Sequence, residues 1–396
     1  MQSLAKNRTT ALRVLHIIDS AGLYGAERVL LELAVEQQKL NHIPTIVSIG
    51  SPGCGEKPVE RAARERGLPV RIVRMLPGPN LRGALQVLHL ARDEAADVLH
   101  SHGYKGDILL GFLPRRLRSI PLVATVHGYT DVSGLSRMWL YHRVDRLALR
   151  CADRVVLVHR GMTATRGLNR LHDRRWRVIE NGIPQAAPVS SASSADTSSF
   201  VDDDIVRFCK SGSVVIGAIG RLSREKGFDL MLRAVGQIAR DRDDVVVLIL
   251  GEGRQRAPLE RHARDLGLGD RVLMPGYRSN AKDYLRLFDV FVLPSLTEGL
   301  PIVLLEAMQA AVPIVASRVG GVPNVLDEGR GGLLVEPGDS SALARAILRC
   351  IDDRALASQL AEYSLTQSSS RFSSRVMAEL YLELYLELYR EVAAAG

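Results

Sequence analysis

The sequence predicts an α/β protein made of two doubly wound, parallel-sheet domains. Three observations carry this expectation. Short β-branched runs alternate with stretches of helical spacing along both halves of the 396 residues. Such alternation gives parallel sheets covered on both faces. A Ser/Ala/Asp-rich stretch at 185–204 separates the halves and reads as a linker. Finally, the glycines and polar residues gather just after the runs, at the carboxyl edge where open α/β sheets take their ligands. The length also suits two cores rather than one.

In the first half, RVLHII (13–18), TIVSI (45–49), VRIV (70–73), DVLH (97–100), PLVATV (121–126), RVVLV (154–158) and WRVI (176–179) read as strands. Residues 26–38, 59–66 and 84–94 carry helical spacing between them. The second half repeats the plan with VVIGAI (214–219), VVVLIL (245–250), RVLM (271–274), VFVLP (290–294) and PIVAS (313–317). Within SLTEGLPIVLLEAM (295–308), an unbroken apolar hexad, 300–305, begins a helix with Pro301 in its first turn. An apolar hexad of this kind predicts a buried helix, which makes Glu306 directly after it and Glu298 just before it unusual. Near the C-terminus, LYLELYLELYRE has a four-residue period that puts Tyr381, Tyr385 and Tyr389 on one stripe. It predicts a packed closing helix that returns to the first domain.

Composition narrows the function classes. Cys54, Cys151, Cys209 and Cys350 are scattered, without a CxxC pair, which argues for a reducing compartment and against a disulfide or zinc framework. The apolar run 14–18 is too short for a signal-peptide core, and no segment approaches membrane-span length, so the expectation is a cytoplasmic protein. Residues 1–185 hold 28 Lys/Arg and 16 Asp/Glu, a balance of +12; the remainder, with 24 and 28, stands at −4. A basic half favours an acidic partner. RMWLYHRVDRLALR (137–150) and LPRRLRSIP (113–121) fit either an anionic membrane surface or ordinary packing. Nucleic acid is disfavoured, because the basic residues lack interleaved aromatics and any recognisable module.

The chemistry-bearing residues lie at the expected ligand edge. Gly22 and Gly25 follow the first strand, His100 and His102 end the fourth and His127 ends the fifth. In the second half Arg221 follows the first strand, Glu298 the fourth, and Gly320-Gly321 the fifth. If the two halves face one another, these edges enclose one cleft. GRLSREKG (220–227) places Arg221 and Lys226 in one strand-to-helix loop, a pairing suited to a diphosphate. Gly299 and Leu300 stand at a helix start that favours an anion. A buried Glu306 needs donors, which the hydroxyls of a ribose would supply.

Together, EGLPIVLLE (298–306), GRLSREKG, ENGIP (180–184) and SRVGGVPNV (317–325) resemble the retaining glycosyltransferases of family 4, and the similarity runs over most of the chain, strongest from 214 to 336. The resemblance implies the GT-B fold. It implies an acceptor-binding Rossmann-like domain at 1–184, a linker at 185–212, a nucleotide-sugar domain at 213–375 and a returning helix at 376–396. It also implies metal-independent transfer of a sugar from a UDP or GDP donor to a glycan or lipid-linked acceptor, with α-linkage, in polysaccharide or glycolipid assembly. Arg221 and Lys226 would hold the diphosphate, Glu306 the ribose and Glu298 the donor sugar. Gly22, Gly25, Gly299 and Leu300 would border the donor, and His127 would face its sugar. Tyr24 and His102 are the candidate acceptor contacts.

Two departures stand out. The first loop reads GLYGAE, with Tyr24 where the family often has a second glycine, and Asn324 stands where the family commonly has Glu. A GT-B nucleotide-sugar epimerase and a non-catalytic nucleotide-sugar-binding subunit are the alternative readings. The Asp-rich runs 202–204 and 241–243 match a metal-binding DxD pattern but sit beside the linker and ahead of a strand. His100 and His102 share a strand face and have no evident third metal ligand in the sequence. No cofactor is expected.

Overall fold

The computed structural model describes residues 11–20, 22–76, 78, 80–128, 137–164, 175–185, 201–210 and 214–395. The chain divides into two compact units: Met1–Gly182 with Ser374–Gly396, and Ile183–Ser373.

Unit 1 is built on seven parallel strands: β1 (Arg13–Asp19), β2 (Ile43–Gly50), β3 (Val70–Arg74), β4 (Val98–Ser101), β5 (Leu122–Val126), β6 (Arg154–Leu157) and β7 (Trp176–Val178). Their order is β3-β2-β1-β4-β5-β6-β7, so the strand order reverses between β1 and β4. The central strands are buried along nearly their whole length because helices cover both faces, which is why they read as continuous apolar runs. Helix Ser374–Ala395 completes this unit and packs against helix Gly25–Lys39, burying Tyr381, Leu384, Tyr385 and Leu388. Tyr389 is exposed, so the tyrosine stripe is packed over only part of its length. Arg154 ties the same helix to the sheet through Glu387, at 3.0 Å, and through Glu391.

Unit 2 carries β8 (Val214–Ile219), β9 (Val245–Leu250), β10 (Val272–Gly276), β11 (Val290–Leu293), β12 (Ile314–Ser317) and β13 (Leu333–Val335), in the order β10-β9-β8-β11-β12-β13. Its reversal lies between β8 and β11. Ile216, Val247, Val292 and Val315 are essentially inaccessible, and burial of such side chains stabilises by about 1.5–3 kcal/mol each. The strand β13 was not expected from the sequence. It pairs Val315 with Leu333 and is only three residues long.

The expected linker 185–212 contains a helix, Asp203–Lys210, that belongs to unit 2. Ile205 and Cys209 are buried, and Asp202 bridges to Arg278 at 2.8 Å. Ordered packing, rather than a free connection, is what that end of the stretch provides; residues 186–200 and 211–213 lie outside the described residues. Among the described residues, no helix is long and apolar enough to cross a membrane.

Candidate functional site

In unit 2 four loops meet at the carboxyl ends of the strands, at the β8/β11 reversal. Gly227 has φ +62°, and a Cβ there would lie 2.1 Å from the Pro294 carbonyl oxygen. Gly320 has φ +55°, with its Cβ position 1.9 Å from the Glu298 carbonyl oxygen. Only glycine tolerates both the backbone conformation and such an approach. Backbone hydrogen bonds knit the same loops: Leu296 N–H to Glu225 O at 2.8 Å, Leu222 N–H to Glu252 O at 2.9 Å and Gly321 N–H to Gly299 O at 2.8 Å.

This framework sets charged side chains in pairs. Lys226 Nζ lies 2.6 Å from Glu298 Oε1, to which the Ser295 hydroxyl also donates at 2.6 Å. The lysine side chain is 21% exposed and the glutamate 8%. Arg221 reaches Glu225 at 2.7 Å, and Ser223 donates to that carboxylate at 2.6 Å. Burial would raise Glu225, but hydrogen bonds from Ser223, its own backbone and Arg221 outweigh it and hold the carboxyl below its ordinary value. Both cations expected at a diphosphate are therefore supported by carboxylates. Glu225 and Ser295 were not singled out in the sequence, since a Glu inside SREKG reads as a surface charge.

Glu306 departs from expectation. Helix Ile302–Gln309 buries Ile302, Leu304, Leu305, Ala307 and Met308, whereas Val303 and Glu306, three residues apart, are half-buried on another face. The helix is thus not enclosed on all sides, and its carboxylate stands on the more open face. Pro301, expected in the first turn, instead has extended backbone one residue ahead of the helix, and Gly299 and Leu300 precede it.

In unit 1 the β1/β4 reversal is framed by Asp19, which pairs with Lys57 at 2.9 Å and Lys105 at 3.0 Å. Burial raises that carboxyl, but the two ammonium groups outweigh it and lower it. The first-strand loop follows, with Gly22 held against Ser20 Oγ at 3.1 Å. A Cβ at Gly22 would strike the Tyr24 ring at 2.4 Å. Tyr24 N–H donates to Glu27 at 2.9 Å and opens helix Gly25–Lys39, at whose start Gly25 is exposed.

The three predicted histidines meet there with a fourth, His16, from the middle of β1 and in register with His100. His102 is 5% exposed, with one ring nitrogen 3.0 Å from His16 and the other 3.3 Å from His127. His102, expected as an acceptor contact, is thus buried with both ring nitrogens engaged inside the unit. His100 bonds Thr125 at 2.7 Å and Tyr385 at 2.6 Å. His16 supplies the third imidazole that the sequence did not reveal, with ligand atoms of His16, His100 and His102 within 4.8 Å of one another. Every nitrogen of these three rings already has a hydrogen-bond partner, so a metal would have to break that network. Burial lowers His16 and His127 to about 4, with the Gln37 bond working against it at His16. Burial first, and then the neighbouring imidazoles, lower His100 and His102 well below the ordinary value.

The family described as Glycosyl transferases group 1 matches residues 206–367, and Glycosyltransferase Family 4 matches residues 24–186. The 2-deoxystreptamine glucosyltransferase of Streptomyces kanamyceticus is 30% identical, over 83% of this chain and 88% of that protein. The UDP-Gal:alpha-D-GlcNAc-diphosphoundecaprenol alpha-1,3-galactosyltransferase of Escherichia coli is 27% identical, over 70% and 72%. Among solved structures, HepE of Anabaena in complex with UDP superposes with a TM-score of 0.79 at 21% identity, covering 95% of this chain and all of that one.

Proposed function

The chain belongs to the glycosyl transferases of group 1 and is a glycosyltransferase of GT-B fold; we propose that it moves a sugar, with retention of configuration, from a nucleotide diphosphate-sugar to a glycan or lipid-linked acceptor. The observation that carries this reading is the Lys226–Glu298 pair at the β8/β11 reversal, held by Ser295 and by the close-packed Gly227 and Gly320.

In this reading Arg221 and Lys226 receive the diphosphate and stabilise its charge as it leaves. Glu298 and Glu306 accept hydrogen bonds from the hydroxyls of the donor sugar and the ribose. Gly299 and Leu300 border the donor. From unit 1, exposed Gly25 gives close backbone approach to phosphate at a helix start, Gly22 borders the donor beneath the Tyr24 ring, and His127 serves the transferred sugar. The bond from the anomeric carbon to the diphosphate oxygen breaks, and a bond to the acceptor oxygen forms on the same face, giving an α-linkage. The acceptor proton goes to the departing phosphate. Exposed Tyr24 contacts the acceptor.

The reaction is read as metal-independent. Asp202, in the Asp-rich run, is committed to Arg278, and Asp204 pairs with Arg207. UDP is the first donor to test, since the Anabaena structures hold UDP or UDP-glucose and the Escherichia coli relative is named for UDP-Gal. GDP is the second.

A lipid-linked acceptor accords with peripheral contact at an anionic membrane. Helix Arg137–Leu149 exposes Leu140, Tyr141, Arg143 and Leu147. The helix Tyr104–Gly111 packed on it runs into exposed Phe112, Arg115, Arg116 and Leu117. Exposed apolar and aromatic side chains beside arginines suit headgroups and the acyl boundary.

Thermal unfolding with UDP, GDP or ADP in EDTA tests the donor site, because a ligand of the folded state raises stability by mass action. A rise with one diphosphate, reduced by Glu306→Ala, is expected. No rise with any of them, together with no transfer from UDP- or GDP-sugars, would refute the reading.

A further inference from the structure

The four clustered imidazoles of unit 1, His16, His100, His102 and His127, form more than a packed cluster. His127 Nε2 lies 3.3 Å from His102 Nδ1, His102 Nε2 lies 3.0 Å from His16 Nδ1, and His16 Nε2 lies 2.8 Å from the Gln37 amide oxygen. In this orientation of the Gln37 amide, whose oxygen can only accept, His16 carries its proton on Nε2 and presents Nδ1 as an acceptor. His102 must then donate from Nε2 and accept at Nδ1. His127 in turn donates from Nε2, which leaves Nδ1 as the acceptor nitrogen of the last ring. One buried amide oxygen thus dictates the proton arrangement three rings away.

We propose that Gln37, His16 and His102 are positioning residues for His127, a buried chain that fixes its acceptor nitrogen and draws protonic charge away from it. This rests on the reading that His127 serves the transferred sugar, whose hydroxyl then donates to Nδ1. A proton arriving at Nδ1 is balanced by two inward transfers, His127 Nε2 to His102 Nδ1 and His102 Nε2 to His16 Nδ1. The charge ends on His16 against the Gln37 oxygen. The titratable groups around the chain are His100 of β4, whose ring lies 3.9 Å from His102 between centroids, and Tyr381 and Tyr385 of the last helix. Among the described residues, no carboxylate bonds to any of the four rings.

Introducing one is therefore the test. Gln37→Glu keeps the acceptor and adds a negative charge beside His16. In protein labelled with 15N-histidine, the first protonation seen at His127 is expected to rise by about one pH unit or more. The acid limb of kcat is expected to move up equally, with KM little changed. His102→Phe keeps a ring in place but cuts the chain, and in that background Gln37→Glu is expected to leave His127 unmoved. A response confined to His16, or an equal response with Phe at 102, overturns the proposal. Should Gln37→Glu not fold, His102→Phe alone decides: the His127 Nε2 resonance must shift on losing its acceptor, and an unchanged resonance refutes the chain. The titration needs no turnover, so absence of any transferase activity would count against the proposed function while leaving this test intact.

Discussion

Substituting Lys226 by Met removes the ammonium that faces Glu298 and leaves a side chain of similar length. The pair is 2.6 Å apart, with the glutamate 8% and the lysine 21% exposed. At an effective dielectric of about 20 the gross attraction would be about 6 kcal/mol, before desolvation is subtracted. A fully exposed pair contributes about 0–1 kcal/mol, and stranding one partner of a fully buried pair costs about 3–5 kcal/mol. The partial burial here, with Ser295 still donating, places Lys226→Met at about 2 kcal/mol of lost stability. For a unit of this size that is roughly 4–8 °C in Tm. Glu298→Gln keeps an acceptor for Ser295 and releases a lysine that can reach water, so its cost is about 1 kcal/mol. The double variant is expected to resemble Glu298→Gln, because losing the lysine matters only while the carboxylate is there. Unfolding must be followed by far-UV circular dichroism, since both tryptophans, Trp139 and Trp176, belong to unit 1. Costs that add within about 0.5 kcal/mol would show no coupling and refute the argument. The same Lys226→Met protein should lose the UDP-dependent rise in Tm.

Three other outcomes are expected. Gly320→Ala combines a left-handed backbone with a Cβ position 1.9 Å from the Glu298 carbonyl, and should cost about 3 kcal/mol and abolish nucleotide stabilisation; a neutral effect in the same unfolding assay would contradict the packing. Acid should weaken unit 1: His16 binds its proton near 6.5 when unfolded but only at about 4 when folded, so stability is complete above 6.5 and is lost as pH falls toward 4, by roughly 3 kcal/mol in all. Tryptophan-detected urea midpoints at pH 7.5 and 5 measure this, and equal midpoints would be inconsistent with it. Flotation with vesicles containing anionic lipid should be weakened by Leu140→Asp and by Arg143→Glu, and binding indifferent to both would remove that helix from any membrane contact.

The fold was legible wherever apolar runs were long enough to betray strands buried on both faces. Leu333–Val335 escaped because three residues between Gly332 and Glu336 carry no periodicity. The expected linker runs too far because Asp202, Asp203 and Asp204 have a loop-like composition, while of the helix's four apolar residues only Ile205 and Cys209 are buried. At the unit 2 site, the positions of Lys226 and Glu298 could be anticipated from loops and strand ends, but their pairing depends on how the loops after β8 and β11 approach. His16 and Gln37 were opaque for a different reason. A histidine in RVLHII reads as a tolerated core residue, and a glutamine in VEQQK as a solvated helix position. Strand register and helix rotation turn both toward His102, and neither is encoded in local spacing.

The last helix also constrains how the protein comes into being. Thr125 bonds Tyr381 across 256 positions of sequence, and His100 bonds Tyr385 across 285. During synthesis all of unit 2 is made before those tyrosines exist, so the second unit can finish folding while the first still lacks one wall of its interior. Its buried imidazoles would meanwhile be open to water and free to take up protons. Closing such distant contacts is slow, and an incomplete first unit exposes the apolar surface that invites association. Shortening the chain ahead of residue 381 would therefore leave the earlier-made unit, not the later one, unable to mature.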